Sequence, residues 1–517
     1  MKYLPFILSL LVFLPSATAA ESFAAQGQVI PVLNDGSEVT VLEFTLDTEG
    51  EKTLAAISFD TTGTTVLEDI SELGVEHLRK TGNRWFGKTQ AVDKDLVLKG
   101  ELTLPKGNHK FRVVIRTKKG ADLSHRVAAQ VVELGFTDGA KLELPPEKDY
   151  QPRRLAYPIH KQGQFDCHTF RIPAISRANN GDLLAVYDMR YNSKRDLQEH
   201  IDIGLSVSKD GGQTWTEPRP IMDMGEYGGK PENENGCSDP GILVDRETGE
   251  IFVSALWTHG KPNTHQWVGK GSEPGYGIHQ SAQFMVVRST DNGESWSEPE
   301  NWTRQVKQEP WYLFAPAPGN GITMRDGTLV MPSQGRDAEG FPFSNITWSK
   351  DHGKTWHVSA PARDDTTECA VAELSDGSLM LNIRDNRNRK EKSESNGRAV
   401  AVSKDLGQTW QKHSSDHGAL PEPTCMASLI SHTKAKGQHL LFFSNPHNKE
   451  SRSDMTIQMS SDDGKTWPDD HHVLLDSGNG NGYSSLVVID QQTIGILYES
   501  SVADLVFQKI PLTDFVE

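Results

Sequence analysis

Residues 208–215 read SKDGGQTW, and close variants return as STDNGESW at Ser289, SKDHGKTW at Ser349, SKDLGQTW at Ser403 and SSDDGKTW at Ser460. Each copy sets a short aspartate ahead of a glycine and a tryptophan. That is turn chemistry: the carboxylate accepts backbone N–H bonds, the glycine takes a positive φ, and the indole packs on its own unit. The octet reads as a brace and not as a reacting group. Successive copies start 81, 60, 54 and 57 residues apart, a period typical of repeated small sheets. The longer first interval places an insertion around residues 258–282.

Upstream of each of the first four octets stands a hairpin-type turn entering an apolar strand: NNGDLLAVY (179–187), ETGEIFVSAL (247–256), RDGTLVMPS (325–333) and SDGSLMLNI (375–383). Each follows another strand, RIPAIS, PGILVD, GNGITM or AVAELS, and MASLIS and SSLVVID continue the series to six. Six units of about 60 residues over 155–517 predict a six-bladed β-propeller of four-stranded blades. Residues 21–145 carry alternating runs such as EVTVLEFTL (38–46) and KFRVVIRTK (110–118), which predict a small N-terminal β-sandwich. Proline-rich, charged residues 146–154 read as the linker. The fold class expected is all-β.

The chain begins with Lys2, the apolar run LPFILSLLVFL (4–14) and SATAA, the layout of a secretory signal peptide over residues 1–20. Eleven apolar residues are too few for a membrane span, which needs about 20. An exported protein, periplasmic or secreted, is expected, with no membrane insertion. The net charge of −17 argues against nucleic acid or an anionic surface as partner. Cys167, Cys237, Cys369 and Cys425 match no zinc spacing and read as buried free thiols. DDHH at 469–472 reads as a solvated polar loop. No metal or organic cofactor is expected.

Strand order gives directions. In each blade the first strand runs down to the hairpin turn, the second returns, the third descends, and the octet turns at the bottom. The starts of first strands and the ends of second strands then gather on the opposite, upper face. Those positions hold Arg171, Asp239, Glu368, Met426 and Tyr483, and Arg190, Asp196, Arg336, Arg384, Arg452 and Glu499. Arginines from separate blades converging on one face suit a substrate carboxylate, because two parallel N–H donors match its two oxygens.

FRIP (170–173) followed by five octets resembles the exo-sialidases (neuraminidases) of bacterial type across 155–517. The resemblance implies that Arg171, Arg384 in LNIRD and Arg452 in SRSDMTIQMSSDDG bind a sialic acid carboxylate. It makes Arg190 in YDMR a further pocket arginine and Asp239 the acid facing the N-acyl group. It implies Asp196 as acid/base, Tyr483 in GNGYSS as nucleophile and Glu368 in TECAVAEL as its partner. Arg336 in PSQGRD matches no family motif. The activity implied is exo-α-sialidase hydrolysis of glycoproteins, glycolipids or oligosaccharides with retention, through a tyrosyl-glycosyl intermediate and without cofactor. A trans-sialidase, including the intramolecular kind, would use the same residues. A non-catalytic sialic-acid lectin is the alternative of a different class. Trp257, Trp311 and Tyr312 are open between lining the aglycone side and packing loops. Trp85 and Phe86 are the one adjacent aromatic pair of the N-terminal module, which reads as a carbohydrate-binding or spacer unit.

Overall fold

The computed structural model describes residues 22–144, 150–197, 199–258 and 271–515. The expected signal peptide lies outside the described residues, as do residues 259–270 of the 258–282 insertion. The described chain is nearly all β-strand. Its N-terminal part forms two antiparallel sheets. One runs Ser22–Gly27, Val39–Thr48, Gly107–Thr117, Ile70–Leu78, Arg84–Thr89 in spatial order, and the other Lys141–Glu143, Gln130–Phe136, Lys52–Asp60, Asp95–Leu104. Period-two alternation sends Phe44, Leu46, Phe111, Val113 and Ile115 from one sheet, and Leu54, Ile57, Phe59 and Leu98 from the other, into one apolar cluster.

Six further sheets follow in a β-propeller, and their inner strands touch in sequence around a closed ring. Blade 1 holds Thr169–Arg177, Leu183–Arg190, Ile201–Ser208 and Arg219–Met222. Blade 2 is built on Cys237–Val244, Ile251–Trp257 and Gln283–Ser289, and blade 3 on Leu313–Pro316, Leu329–Arg336 and Pro342–Ser349. Blade 4 starts with Thr366–Glu373 and Leu379–Asp385, blade 5 with Ser428–Thr433 and His439–Pro446. Blade 6 combines Ser484–Asp490, Thr493–Tyr498 and Leu505–Pro511 with Arg153–His160, so the chain's earlier strand completes its last sheet and closes the ring.

That closing strand corrects the linker boundary. Arg153 and Arg154 are strand residues, and Val32–Leu33 and Arg126–Val127 of the N-terminal part pair with the same strand. The charges there are not solvated: Arg154 and Arg126 both reach Asp514, each at 2.7 Å. Gln213 of the first octet donates to Ala121 O at 2.9 Å. The N-terminal module is thus bonded directly to the propeller. Its Trp85 ring is covered by Lys88 Nζ at 3.7 Å from the centroid, and Phe86 is buried.

Each octet behaves as a brace. In the first, Asp210 accepts Ser208 Oγ at 2.8 Å, Thr214 N at 2.9 Å and Thr214 Oγ1 at 2.6 Å. Trp215 Nε1 donates to Gly212 O at 3.0 Å. Asp291, Asp351, Asp405 and Asp462 repeat the pattern. All five sit at the ends of third strands, on the face away from the arginines.

Candidate active site

A cavity of about 450 Å³ opens on the upper face. Seven of the eight sequence-derived residues line it: Arg171, Asp196, Asp239, Glu368, Arg384, Arg452 and Tyr483. Three inner strands deliver their residue by the same local device. The pairing register breaks between Arg171 and Ala174 in blade 1, between Ser238 and Gly241 in blade 2, and between Thr366 and Cys369 in blade 4. A β-bulge turns a side chain out of the alternation, and here it aims Arg171, Asp239 and Glu368 at the axis. Ile172 and Asp239 take φ of 56° and 61° at these bulges, a conformation tolerated because the sheet on both sides fixes it.

Tyr483 is the centre of the site. Its hydroxyl donates to Glu368 Oε1 in a short hydrogen bond and accepts Arg384 Nη1 at 3.1 Å. Arg384 also pairs with Glu368 Oε2. The guanidinium carbons of Arg171 and Arg452 stand 5.4 and 5.6 Å from the phenol ring centroid. The preceding Gly482 has φ of 89°, and a Cβ there would meet Pro446 Cγ at 2.9 Å and Cys425 Sγ at 3.0 Å. Only glycine lets the Tyr483 strand enter between Arg452 and blade 5. Burial, and then the Glu368 carboxylate, push the Tyr483 pKa well above the ordinary tyrosine value, against the pull of Arg384 and Arg452.

Glu499 holds the other side of the ring. It is buried, and its Oε1 accepts Arg171 Nε at 2.8 Å and Ile172 N at 3.0 Å. Its Oε2 accepts Arg171 Nη2 at 3.2 Å and Tyr483 N at 2.9 Å. Burial alone would raise its pKa, but Arg171 and these N–H donors outweigh it and hold it below the usual carboxylate range. Correspondingly, burial pulls on Arg171, yet Glu499 keeps it firmly charged.

Arg190 is not where the resemblance put it. It is fully buried beneath the cavity, donating to Asp188 Oδ2 at 2.8 and 3.1 Å and to Asp196 Oδ1 at 2.7 Å. The reason is depth: Arg190 and Asp188 are two apart on one strand face, and Asp188 draws the guanidinium down. Asp196 itself stays 43% exposed in the loop between two blade-1 strands, with Arg171 Nη1 3.6 Å away. Asp188 Oδ1 also accepts Asp239 N at 3.1 Å. Burial first, then Asp188, Glu368 and Asp196, push Asp239 well above the usual carboxylate range.

A BNR repeat-like domain model matches residues 181–496. Over the full length of both proteins the chain is 40% identical to a sialidase of Bacteroides fragilis (strain YCH46). It is 34% identical to a sialidase of Micromonospora viridifaciens over 64% of this chain and 50% of that protein. The solved structure of Hadza microbial sialidase Hz136 superposes with a TM-score of 0.88 at 38% identity, covering 95% of this chain and 100% of that one. The chain belongs to the sialidase family. It is a glycoside hydrolase acting on sialylated substrates. The Ruminococcus gnavus intramolecular trans-sialidase shares the fold, with a TM-score of 0.53 at 17% identity over 68% of this chain and 96% of that one.

Sequence reasoning missed part of this sialidase's site. It did not pick out Gln334, Asn386 and Arg389 of the lining or Asp188 beneath it, and it put Arg336 and Glu499 on this face without a role; Arg336 lines the cavity and Glu499 anchors Arg171 from behind. Asp188 was legible in principle, since YDMR puts it on the same strand face as Arg190. Trp257 and Trp311 pack loops: Trp257 is fully buried and donates to Asn235 Oδ1 at 3.1 Å, and Trp311 meets Phe343 edge-on at 4.8 Å. The four cysteines are buried and free. Among the described residues no group of three metal-ligating side chains converges.

Proposed function

We propose that this sialidase removes terminal sialic acid by an exo-acting, retaining mechanism through a tyrosyl-glycosyl intermediate. The observation that supports it best is the Tyr483–Glu368 hydrogen bond inside an arginine-lined cavity. A sialic acid carries a carboxylate on its anomeric carbon, so Arg171, Arg384 and Arg452 would hold that group as bidentate or forked donors. An anionic nucleophile would be repelled by the same carboxylate. A neutral phenol avoids the repulsion, and tyrosine nucleophiles are the known departure from paired carboxylates. The raised Tyr483 pKa keeps the phenol neutral at rest. As its oxygen bonds to the anomeric carbon, its proton passes to Glu368, and the glycosidic oxygen leaves with a proton from Asp196. In the second half water attacks the same carbon, giving its proton to Asp196, while the phenolate oxygen recovers the proton from Glu368. Two displacements retain configuration.

Arg190 serves here by holding Asp196 at 2.7 Å, and Asp239, in the cavity lining, would face the N-acyl group. The leader over residues 1–20 supports export to the periplasm or beyond. Tyr483→Phe and Glu368→Gln should each lower kcat on a fluorogenic α-sialoside by about a thousandfold or more. Proton NMR of the wild-type reaction should show the α-anomer of free sialic acid first. An anhydro product would move the reading to an intramolecular trans-sialidase, binding without turnover would favour the lectin, and full activity in Tyr483→Phe would sink the nucleophile.

A further inference from the structure

Blade 3 raises its hairpin beside the acid/base. Leu197, next to Asp196, packs in one apolar cluster with Leu313. Leu313 pairs across the sheet with Arg336, and Tyr312 N donates to Arg336 O at 3.1 Å. The rim of blade 3 therefore borders the side on which Asp196 meets the leaving oxygen. Whatever lies beyond that oxygen in the substrate passes over this rim.

The rim is equipped for a ligand. Arg336 and Pro342 flank the hairpin and line the cavity. Between them Phe341 is 65% exposed, the most exposed large apolar side chain described. It is not loose. Asp337 Oδ1 accepts Phe341 N at 2.8 Å and Glu339 N at 3.0 Å, and Asp337 N donates to Phe341 O at 3.0 Å. A phenyl ring presented to water by a fixed turn suits the apolar face of a sugar ring. The Arg336 guanidinium is only partly exposed, yet it has no carboxylate partner and no side-chain hydrogen bond among the described residues. Burial pulls its pKa down, with no acid to counter it. By contrast Arg171 and Arg384 each grip a glutamate. Arg389, from neighbouring blade 4, lines the same cavity, and its side chain bonds among the described residues to Asn386 Oδ1, at 3.2 and 3.4 Å. Arg389 and Asn386 line both this cavity and an adjoining hollow of about 570 Å³ that also holds Arg387 and Lys390 together with Asp365 and Glu391.

We propose that Phe341, Arg336 and Arg389 form an aglycone subsite for an anionic sugar, the ring stacking on Phe341 and its carboxylate or sulfate meeting the two guanidiniums. This rests on the placement of Asp196 as the group that protonates the leaving oxygen. The test compares kcat/KM for sialyl-lactose, an aglycone-sulfated sialyl-lactose, disialyl-lactose and a small fluorogenic sialoside, in wild type, Arg336→Gln, Arg389→Gln and Phe341→Ala. Ratios within one variant cancel any loss of folded enzyme. Wild type should favour an anionic over the neutral trisaccharide by about tenfold, the scale of one charge-assisted hydrogen bond. Arg336→Gln should abolish most of that preference and Arg389→Gln part of it. Phe341→Ala should lower every oligosaccharide relative to the fluorogenic substrate. Preference for disialyl-lactose alone identifies a carboxylate, and preference for the sulfated sugar alone a sulfate. No preference in wild type, or one that survives Arg336→Gln, overturns the subsite. If Tyr483→Phe meanwhile stays inactive, the catalytic reading stands without it; if Tyr483→Phe is active, that reading fails while the ratios remain measurable.

Discussion

Replacing Glu499 with glutamine tests whether the arginine clamp is held from behind. Four donors converge on two oxygens: Arg171 Nε and Ile172 N on one, Arg171 Nη2 and Tyr483 N on the other. A glutamine has one acceptor oxygen, and its amide nitrogen brings hydrogens to the other pair. Whichever way it turns, one guanidinium bond and one backbone bond are lost in a buried place. A hydrogen bond to a charged group contributes about 1.5–3 kcal/mol and a neutral one about 1. The sum is about 3 kcal/mol, close to the 3–5 kcal/mol typical when one partner of a buried pair is removed. Urea unfolding should show that loss as a lower midpoint. Because Arg171 also loses its anchor, KM for a fluorogenic sialoside should rise about tenfold in protein that is still folded. An Arg171→Gln, Glu499→Gln double-mutant cycle should give a coupling above about 1.5 kcal/mol. A variant with wild-type midpoint and KM, or strictly additive single mutants, would falsify the argument.

Two other substitutions bear on stability. Asp202 lies under the Asp196 loop, accepting Tyr191 Oη at 2.9 Å. Burial first, then Asp223 and Glu232, push its pKa from 3.8 to about 7. The folded state therefore binds a proton that the unfolded state has lost, and stability falls as pH rises between those values. Asp202→Asn should be close to neutral at pH 4 and stabilising at pH 8, by at most about 4 kcal/mol at about 1.4 kcal/mol per unit; paired thermal melts check the sign, and an equal effect at both pH values would refute it. Asp210→Ala in the first octet should cost about 1–2 kcal/mol of stability, as for the loss of a capping side chain, and leave kcat/KM unchanged. A selective loss of activity there would give the octets a role beyond bracing.

The propeller was legible because its turns are locally determined. Asp210, Gly212 and Trp215 satisfy one another within eight residues, so the octet declares itself in sequence and its spacing counts the sheets. Directions then followed from hairpin order alone, and they gathered Arg171, Glu368, Arg384 and Tyr483 correctly. What depends on distant partners was not legible. Arg153 and Arg154 looked like the end of a linker because they follow prolines and charges, yet they open the strand Arg153–His160, whose partners in Leu505–Pro511 lie more than three hundred residues later. Depth was equally hidden. A strand end tells which face a side chain approaches, not whether a buried acid such as Asp188 draws it below the surface, which is what happens to Arg190. Bulges that aim Asp239 and Glu368 also leave only a faint mark, a proline after Asp239 and none after Glu368.

The charge arrangement explains how so acidic a chain keeps an anion site. Two of the positive groups at the cavity are the outward halves of pairs whose acids lie inward, Glu499 behind Arg171 and Glu368 beside Arg384, and buried Arg190 pairs with Asp188 beneath them. A guanidinium paired on one edge keeps N–H groups on another, so a carboxylate arriving from solvent meets donors already oriented and partly desolvated. The inward acids also keep the guanidiniums from repelling one another, a cost that unpaired arginines at this spacing would impose. Arg336, Arg389 and Arg452 have no paired acid among the described residues; Arg452 reaches Asn481 O at 2.7 Å and Arg389 reaches Asn386 Oδ1. In the proposed subsite the counter-charge for Arg336 arrives with the substrate.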